Sequence, residues 1–209
     1  MGGVGGLLGA FFHHTLRFVT GLRQQNSWLV WLLPLGGLLT VVIYRGLRLN
    51  KNRGTNEIIE AVLKGESLKP QISLGIYLAA TVTHLFGGSA GREGAALQVG
   101  GSIGSILGKA LKFNYQDINI TILCGMSAVF SAMFGTPIAA AIFSMEVVMV
   151  GAIQYAALVP CIVASVVAKY VSGLMGAKDT IYAVTLDFPI TPKLIIQVIV
   201  LGVMCGILS

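Results

Sequence analysis

Hydrophobic positions fall in long runs rather than in alternation, and short polar stretches separate them. Residues 4–20 form a first apolar segment, interrupted by His13 and His14. Residues 28–47 form a second, with Trp28 and Trp31 near one end as interfacial anchors. Residues 50–71 are polar and basic. Within them NEIIEAVLKGE predicts a short amphipathic helix, with Ile58, Ile59, Val62 and Leu63 apolar. Apolar runs resume at 72–85, 95–111 and 118–134, with a polar loop at 112–117. Gly135-Thr136-Pro137 then breaks the pattern. Residues 138–150 and 151–175 follow as apolar segments, 176–192 as an extramembrane loop with Lys178, Asp179 and Asp187, and 194–208 as a last apolar run. The end of the sequence inside that run predicts that the chain is a fragment of a longer protein.

Crossing a hydrocarbon core of about 30 Å takes about 20 apolar residues in a helix. Several segments here are shorter, and Gly or Pro interrupts them at membrane depth. Non-helical backbone at that depth is tolerated only where protein buries it or where it lines a polar cavity. Interrupted helices therefore point to an ion or substrate site. The fold class expected is all-α: a polytopic membrane protein of tilted and broken helices, forming one membrane domain over residues 1–209.

Composition supports this reading. The chain is 55% hydrophobic and only 11% charged, with 27 glycines among 209 residues, where soluble domains carry about 25% charged residues. Mean hydropathy is +0.83. The net charge is +6, and six of the 14 basic residues fall in one polar segment, at Arg45, Arg48, Lys51, Arg53, Lys64 and Lys69. In a hydrophobic chain that pattern marks basic loops on the cytoplasmic side. No interleaved aromatics or nucleic-acid motif accompany it, so nucleic acid is not an expected partner. The N-terminal stretch lacks a basic region and a cleavage site and reads as the start of a membrane helix, not a signal peptide. Cys124, Cys161 and Cys205 are far apart, without CxxC spacing or histidine partners. They predict small buried residues rather than a metal site or disulfides.

The chemistry gathers in GGSAGREGAALQVGG, which places Arg92 and Glu93 between glycines in a membrane setting. Gly87, Gly88, Gly91 and Gly94 permit positive φ and close approach of backbone to a ligand. A helix starting near Glu93 or Gly94 offers free N–H groups and a positive dipole end, an anion site that needs no cationic side chain. Ser89 is a further hydroxyl donor. Glu93 stands where an anion would sit. A carboxylate there acts as a tethered surrogate that leaves on protonation, which makes it a gate and a proton carrier, or else it is ion-paired with Arg92. Arg92 itself reads two ways: a structural partner of a carboxylate or of helix-end carbonyls, or an anion ligand.

GREG followed by small residues, Gln98 and GG resembles the GREGPxVQ signature of the chloride channel/transporter (CLC) family. LPLGGLLTVVIYRG, FGTPIAAAIFSMEVV and RGTNEII resemble other family segments, in the family's order and over nearly the whole chain. The resemblance implies two inverted repeats in the complete protein, of which this chain supplies the first. It also implies a multi-pass location in the cell membrane and a homodimer with one pathway per subunit. Halide anions, fluoride or chloride, and protons are the implied partners, with no cofactor. The implied anion-binding set is Gly91, Arg92, Gly94 and Ala95, with Asn52 or Thr55 near the position of the family's serine, which Arg53 occupies. Ala95 replaces the signature proline, and Val147 the second, proton-carrying glutamate. Glu146 matches the preceding glutamate. These departures resemble the fluoride/proton exchanger branch, with Glu93 as gating and proton-carrying carboxylate. A passive chloride channel and an inactive truncated half are the alternatives.

Other candidates carry two readings each. His84, nine residues before Glu93, is a proton relay or a packed residue with one hydrogen bond. His13 and His14 are metal ligands or interfacial residues. Adjacent positions face different ways on a helix, which favours the second. Met126, Met145 and Met149 suggest copper or, in apolar surroundings, packing. Thr136-Pro137 opens a new helix N-terminus, either anion-facing or purely architectural. GSIGS has the small-residue spacing of close helix packing. No nucleophile–base pair, metal spacing or cofactor loop suggests an enzyme.

Overall fold

A computed structural model of the chain describes residues 1–49, 54–64, 68–148, 154–177 and 191–208. All secondary structure among them is helical. The order is α1 (Gly2–Gln25), a 3-10 turn (Ser27–Leu32), α2 (Leu33–Gly46), α3 (Thr55–Lys64), α4 (Pro70–Leu85), α5 (Arg92–Ala110), α6 (Tyr115–Phe134), α7 (Pro137–Glu146), α8 (Tyr155–Leu174) and α9 (Pro192–Leu208). The stretch Ser27–Gly46 and helices α6 and α8 are each long and apolar enough to cross a membrane. Large apolar side chains face outward, among them Trp31 at 87% exposure and Val159 at 67%. A water-facing surface rarely shows so much contiguous apolar area.

The centre is the antiparallel pair α5–α6, and glycine makes it possible. An added Cβ at Gly100 or Gly104 would run into the backbone of Gly125 or Thr121. Close backbone contact of this kind drives helix association where lipid is as apolar as a side chain. The same device seats α1 against α6 and α8. Gly5 and Gly9 lie on Ala128 and Ala132, while Gly2 and Gly6 lie on the backbone and side chains of α8. Buried serines add polar ties between helices: Ser127 Oγ donates to Cys161 O at 3.2 Å and Ser131 Oγ to Ser165 O at 2.8 Å.

The break after α6 is fully accounted for. Gly135 adopts φ 75° as the left-handed C-cap, and its N–H bonds Ser131 O. Pro137 then starts α7, where a missing N–H costs nothing. Lys169 Nζ donates to Gly135 O at 2.7 Å, placing a cation on the negative end of α6. A second tie anchors the chain entering α4. Leu68 N–H donates to the fully buried Ser105 Oγ at 3.0 Å. Ser105→Ala leaves that N–H without its partner and is expected to destabilise the protein by about 1–3 kcal/mol, read as a lower unfolding temperature in detergent.

Several sequence expectations change in detail. Helix α1 runs past both histidines. Asn114 caps α6 by accepting from Asp117 N–H at 2.9 Å, so residues expected in a loop begin a helix. His13 is only 9% exposed and its Nε2 has no hydrogen-bond partner, so it is a packed residue and not an interfacial one. His14 is exposed, with Nε2 3.0 Å from Met175 O. Met126 and Met145 are core residues, whereas Met149 lies outside the described residues, as do 178–190. Cys124 and Cys161 are buried with their sulfurs 3.9 Å apart across α6 and α8. Cys205 is exposed instead of buried, because α9 has no buried residue.

Candidate functional site

Two helix N-termini meet at one cleft. Helix α5 begins at Arg92 after the N-cap Gly91, and α3 begins at Thr55. Gln98 Nε2 lies 3.5 Å from Thr55 Oγ1, and a Cβ on Gly94 would come within 3.4 Å of the same oxygen. The first turns of the two helices are therefore side by side. Each leaves backbone N–H groups without helical partners, and the dipoles point positive ends into the same space. The cleft has a volume of about 870 Å³. Gly91, Gly94, Ala95 and Gln98 of α5 line it together with Gly54, with Thr40, Tyr44 and Arg45 of α2, and with Ile76, Ala79 and Thr83 of α4.

Glu93 lies in the first turn of α5 and is exposed. Its carboxylate folds back over the helix start, so that a Cβ on Gly91 would sit 2.9 Å from Oε2. The φ of Gly91 is −65°, so its dihedral angle does not require glycine, and among the described residues the only atom an added Cβ would meet is the movable end of the Glu93 side chain. Of the four glycines singled out in the motif, Gly87 is the one with positive φ, at 78°. No ion pair joins Arg92 to Glu93 among the described residues. Consecutive positions on a helix diverge by about 100°, so Arg92 points elsewhere and comes within electrostatic reach of His13 on α1.

The remaining candidates separate clearly. Gly91, Gly94 and Ala95 line the cleft and Thr55 adjoins Gly94 beside it, whereas Arg92 and Glu93 are not among the lining residues. Asn52 lies outside the described residues. Ser89 is exposed on the loop before α5. His84 Nδ1 is 2.8 Å from Ala80 O, one turn earlier in its own helix, the arrangement of a packed histidine. The α7 N-terminus at Thr136-Pro137 is not among the cleft-lining residues. Val147, not an acid, follows Glu146 at the end of α7.

Sequence reading missed Thr40 and Tyr44, which look like ordinary members of an apolar run. It also missed the Gln98–Thr55 link and Glu57. Glu57, in the first turn of α3, buries Oε2 without a hydrogen-bond partner. A carboxylate inside NEIIEAVLK between membrane segments was the available signal.

A cleft bordered by the N-terminal ends of α3 and α5, inside an apolar helical bundle, is an arrangement found in membrane transport proteins. Residues 36–209 match the voltage gated chloride channel family, and the chain belongs to it. The chain is 33% identical over 203 residues to a chloride/fluoride channel protein of Pseudomonas syringae pv. tomato, covering 97% of this chain and 45% of that protein. It is 30% identical over 172 residues to a putative chloride channel protein, ClcB-like, of Ralstonia nicotianae, covering 79% and 40%. The fold superposes on the crystal structure of a CLC-type fluoride/proton antiporter with a TM-score of 0.88 at 28% identity, covering 99% of this chain and 52% of that one. The chain spans about half the length of these relatives.

Proposed function

We propose that this chain is the first of two repeats of a fluoride/proton exchanger and that its anion pathway passes the cleft between α3 and α5. The observation that carries this reading is the placement of Glu93. Its carboxylate folds over the α5 N-terminus beside Gly91, where backbone donors favour negative charge. Ionised, it occupies the place of the anion. Protonated, it loses that attraction and yields the place to a halide, so anion movement and proton movement are coupled through one carboxylate. Fixed N–H donors suit fluoride, a small and strongly hydrated anion whose lost water must be replaced by hydrogen bonds. The similarity to the fluoride/proton antiporter supports this choice of ion, as does the absence of an acid at Val147.

The complete protein is a multi-pass homodimer of the cell membrane in this reading. The end bearing Arg45, Arg48, Lys69, Lys109 and Lys112 faces the cytoplasm by its positive charge. The test is efflux from proteoliposomes containing the full-length protein, followed with fluoride, chloride and pH electrodes. The expected result is fluoride efflux well above chloride efflux, accompanied by proton uptake. Chloride efflux without proton movement supports the passive channel instead and removes the exchanger reading.

A further inference from the structure

We infer that the phenolic O–H of Tyr44 is a hydrogen-bond ligand for the halide in the cleft and contributes to the choice between fluoride and chloride. This deepens the exchanger reading and rests on it for the location of the anion path. It is not a ligand that the family resemblance supplies.

The argument is an accounting of hydroxyl donors. Thr40 Oγ1 donates to Gly36 O at 3.0 Å, one turn back in its own helix. Thr83 Oγ1 donates to Ala79 O at 2.8 Å in the same way. Both protons are committed to backbone. Thr55 Oγ1 receives the Gln98 amide and keeps its own proton, and it already belongs to the anion set. Tyr44 is half-buried and lines the cleft; its backbone carbonyl accepts from Leu49 N–H, but its phenolic O–H makes no hydrogen bond among the described residues. That hydroxyl is not sealed in the interior, so its proton is available to a partner in the cleft. An anion in the cleft completes it.

Position agrees. Tyr44 is four residues after Thr40, so both share the face of α2 that forms the wall. Helix α2 runs antiparallel to α4: Gly36 meets Phe86 at one end, and Leu47 and Leu49 meet Gly75 at the other. Tyr44 therefore stands toward the basic end of the cleft, away from Gly91 and the Glu93 carboxylate. It offers a donor to an anion that has moved past the α5 N-terminus. A single O–H with a strong, short bond to an anion rewards fluoride over the larger chloride, because the hydrogen bond strengthens with acceptor charge density.

Tyr44→Phe removes one oxygen and keeps the packed ring, so folding is preserved. Calorimetric titration of the purified full-length protein with sodium fluoride and sodium chloride gives the direct readout. Fluoride affinity is expected to fall about tenfold or more, the range for a hydrogen bond to a charged partner. Chloride affinity is expected to fall less, so the preference for fluoride narrows at an unchanged unfolding temperature. Equal affinities and an equal preference in Tyr44→Phe and wild type overturn the assignment. Failure of the exchanger reading shows separately, in the wild type, as halide flux without protons. In that case the titration still decides whether Tyr44 holds whichever halide binds. A wild type that binds neither halide overturns both.

Discussion

Glu93→Gln is expected to separate anion movement from proton movement. The substitution keeps the size and hydrogen-bonding reach of the side chain but removes its charge and its ability to carry a proton. At the α5 N-terminus the carboxylate is favoured by free N–H groups and the dipole, worth about 0.3–1 kcal/mol when exposed and up to ~2 kcal/mol when partly buried. A neutral amide forfeits that attraction and ceases to compete with a halide. Fluoride-driven proton uptake in proteoliposomes should therefore drop to the leak of protein-free vesicles, while anion flux persists. Proton uptake at the wild-type rate in Glu93→Gln contradicts the role given to this residue. The Arg92 guanidinium does not rescue the variant, because it stays protonated and cannot carry a proton.

The second large effect belongs to the fold. Gly104→Val is expected to prevent the α5–α6 pair from closing. An added Cβ at this position collides with the Thr121 carbonyl and approaches Ile122 Cα at 2.7 Å. These are backbone atoms, which no rotamer change moves aside. Ordinary overpacking of a core costs about 1–3 kcal/mol, and displacing two central helices exceeds that range. The variant should elute as aggregate in size-exclusion chromatography in detergent. By contrast Gly37, with open space around its Cβ direction, should accept alanine without loss of the monodisperse peak. A folded, monodisperse Gly104→Val shows that the helix contact is not as tight as described.

The segmentation into membrane helices was legible because hydropathy has a long wavelength. The start of α5, the break at Gly135 and the amphipathic α3 all fall where the pattern places them. The GREG motif was equally legible, since glycines around a lone acid in an apolar chain have few structural reasons to exist. What stayed hidden depended on contacts between distant elements. Adjacent Arg92 and Glu93 left an ion pair open as one reading, yet helical geometry sends them apart. Tyr44 and Thr40 read as members of a hydrophobic run. Their place on the cleft wall follows from the antiparallel packing of α2 on α4, which no local pattern encodes. The N-terminal stretch read as the start of a membrane helix, but the pattern did not show that Gly2, Gly5, Gly6 and Gly9 each seat α1 against a neighbour. Cys205 shared the apolar surroundings of the other two cysteines but sits on α9, which has no buried face among the described residues.

The central claim is that an ionised Glu93 and a halide compete for one place at the α5 N-terminus. Fluoride affinity measured by calorimetry across a range of pH, in the wild type and in Glu93→Gln, tests it most directly. Competition predicts that wild-type affinity rises as pH falls and the carboxylate is protonated. It also predicts that Glu93→Gln binds fluoride at least as tightly as the wild type does at low pH, without pH dependence. A wild-type affinity that is flat with pH, or a Glu93→Gln affinity below that of the wild type, contradicts the account.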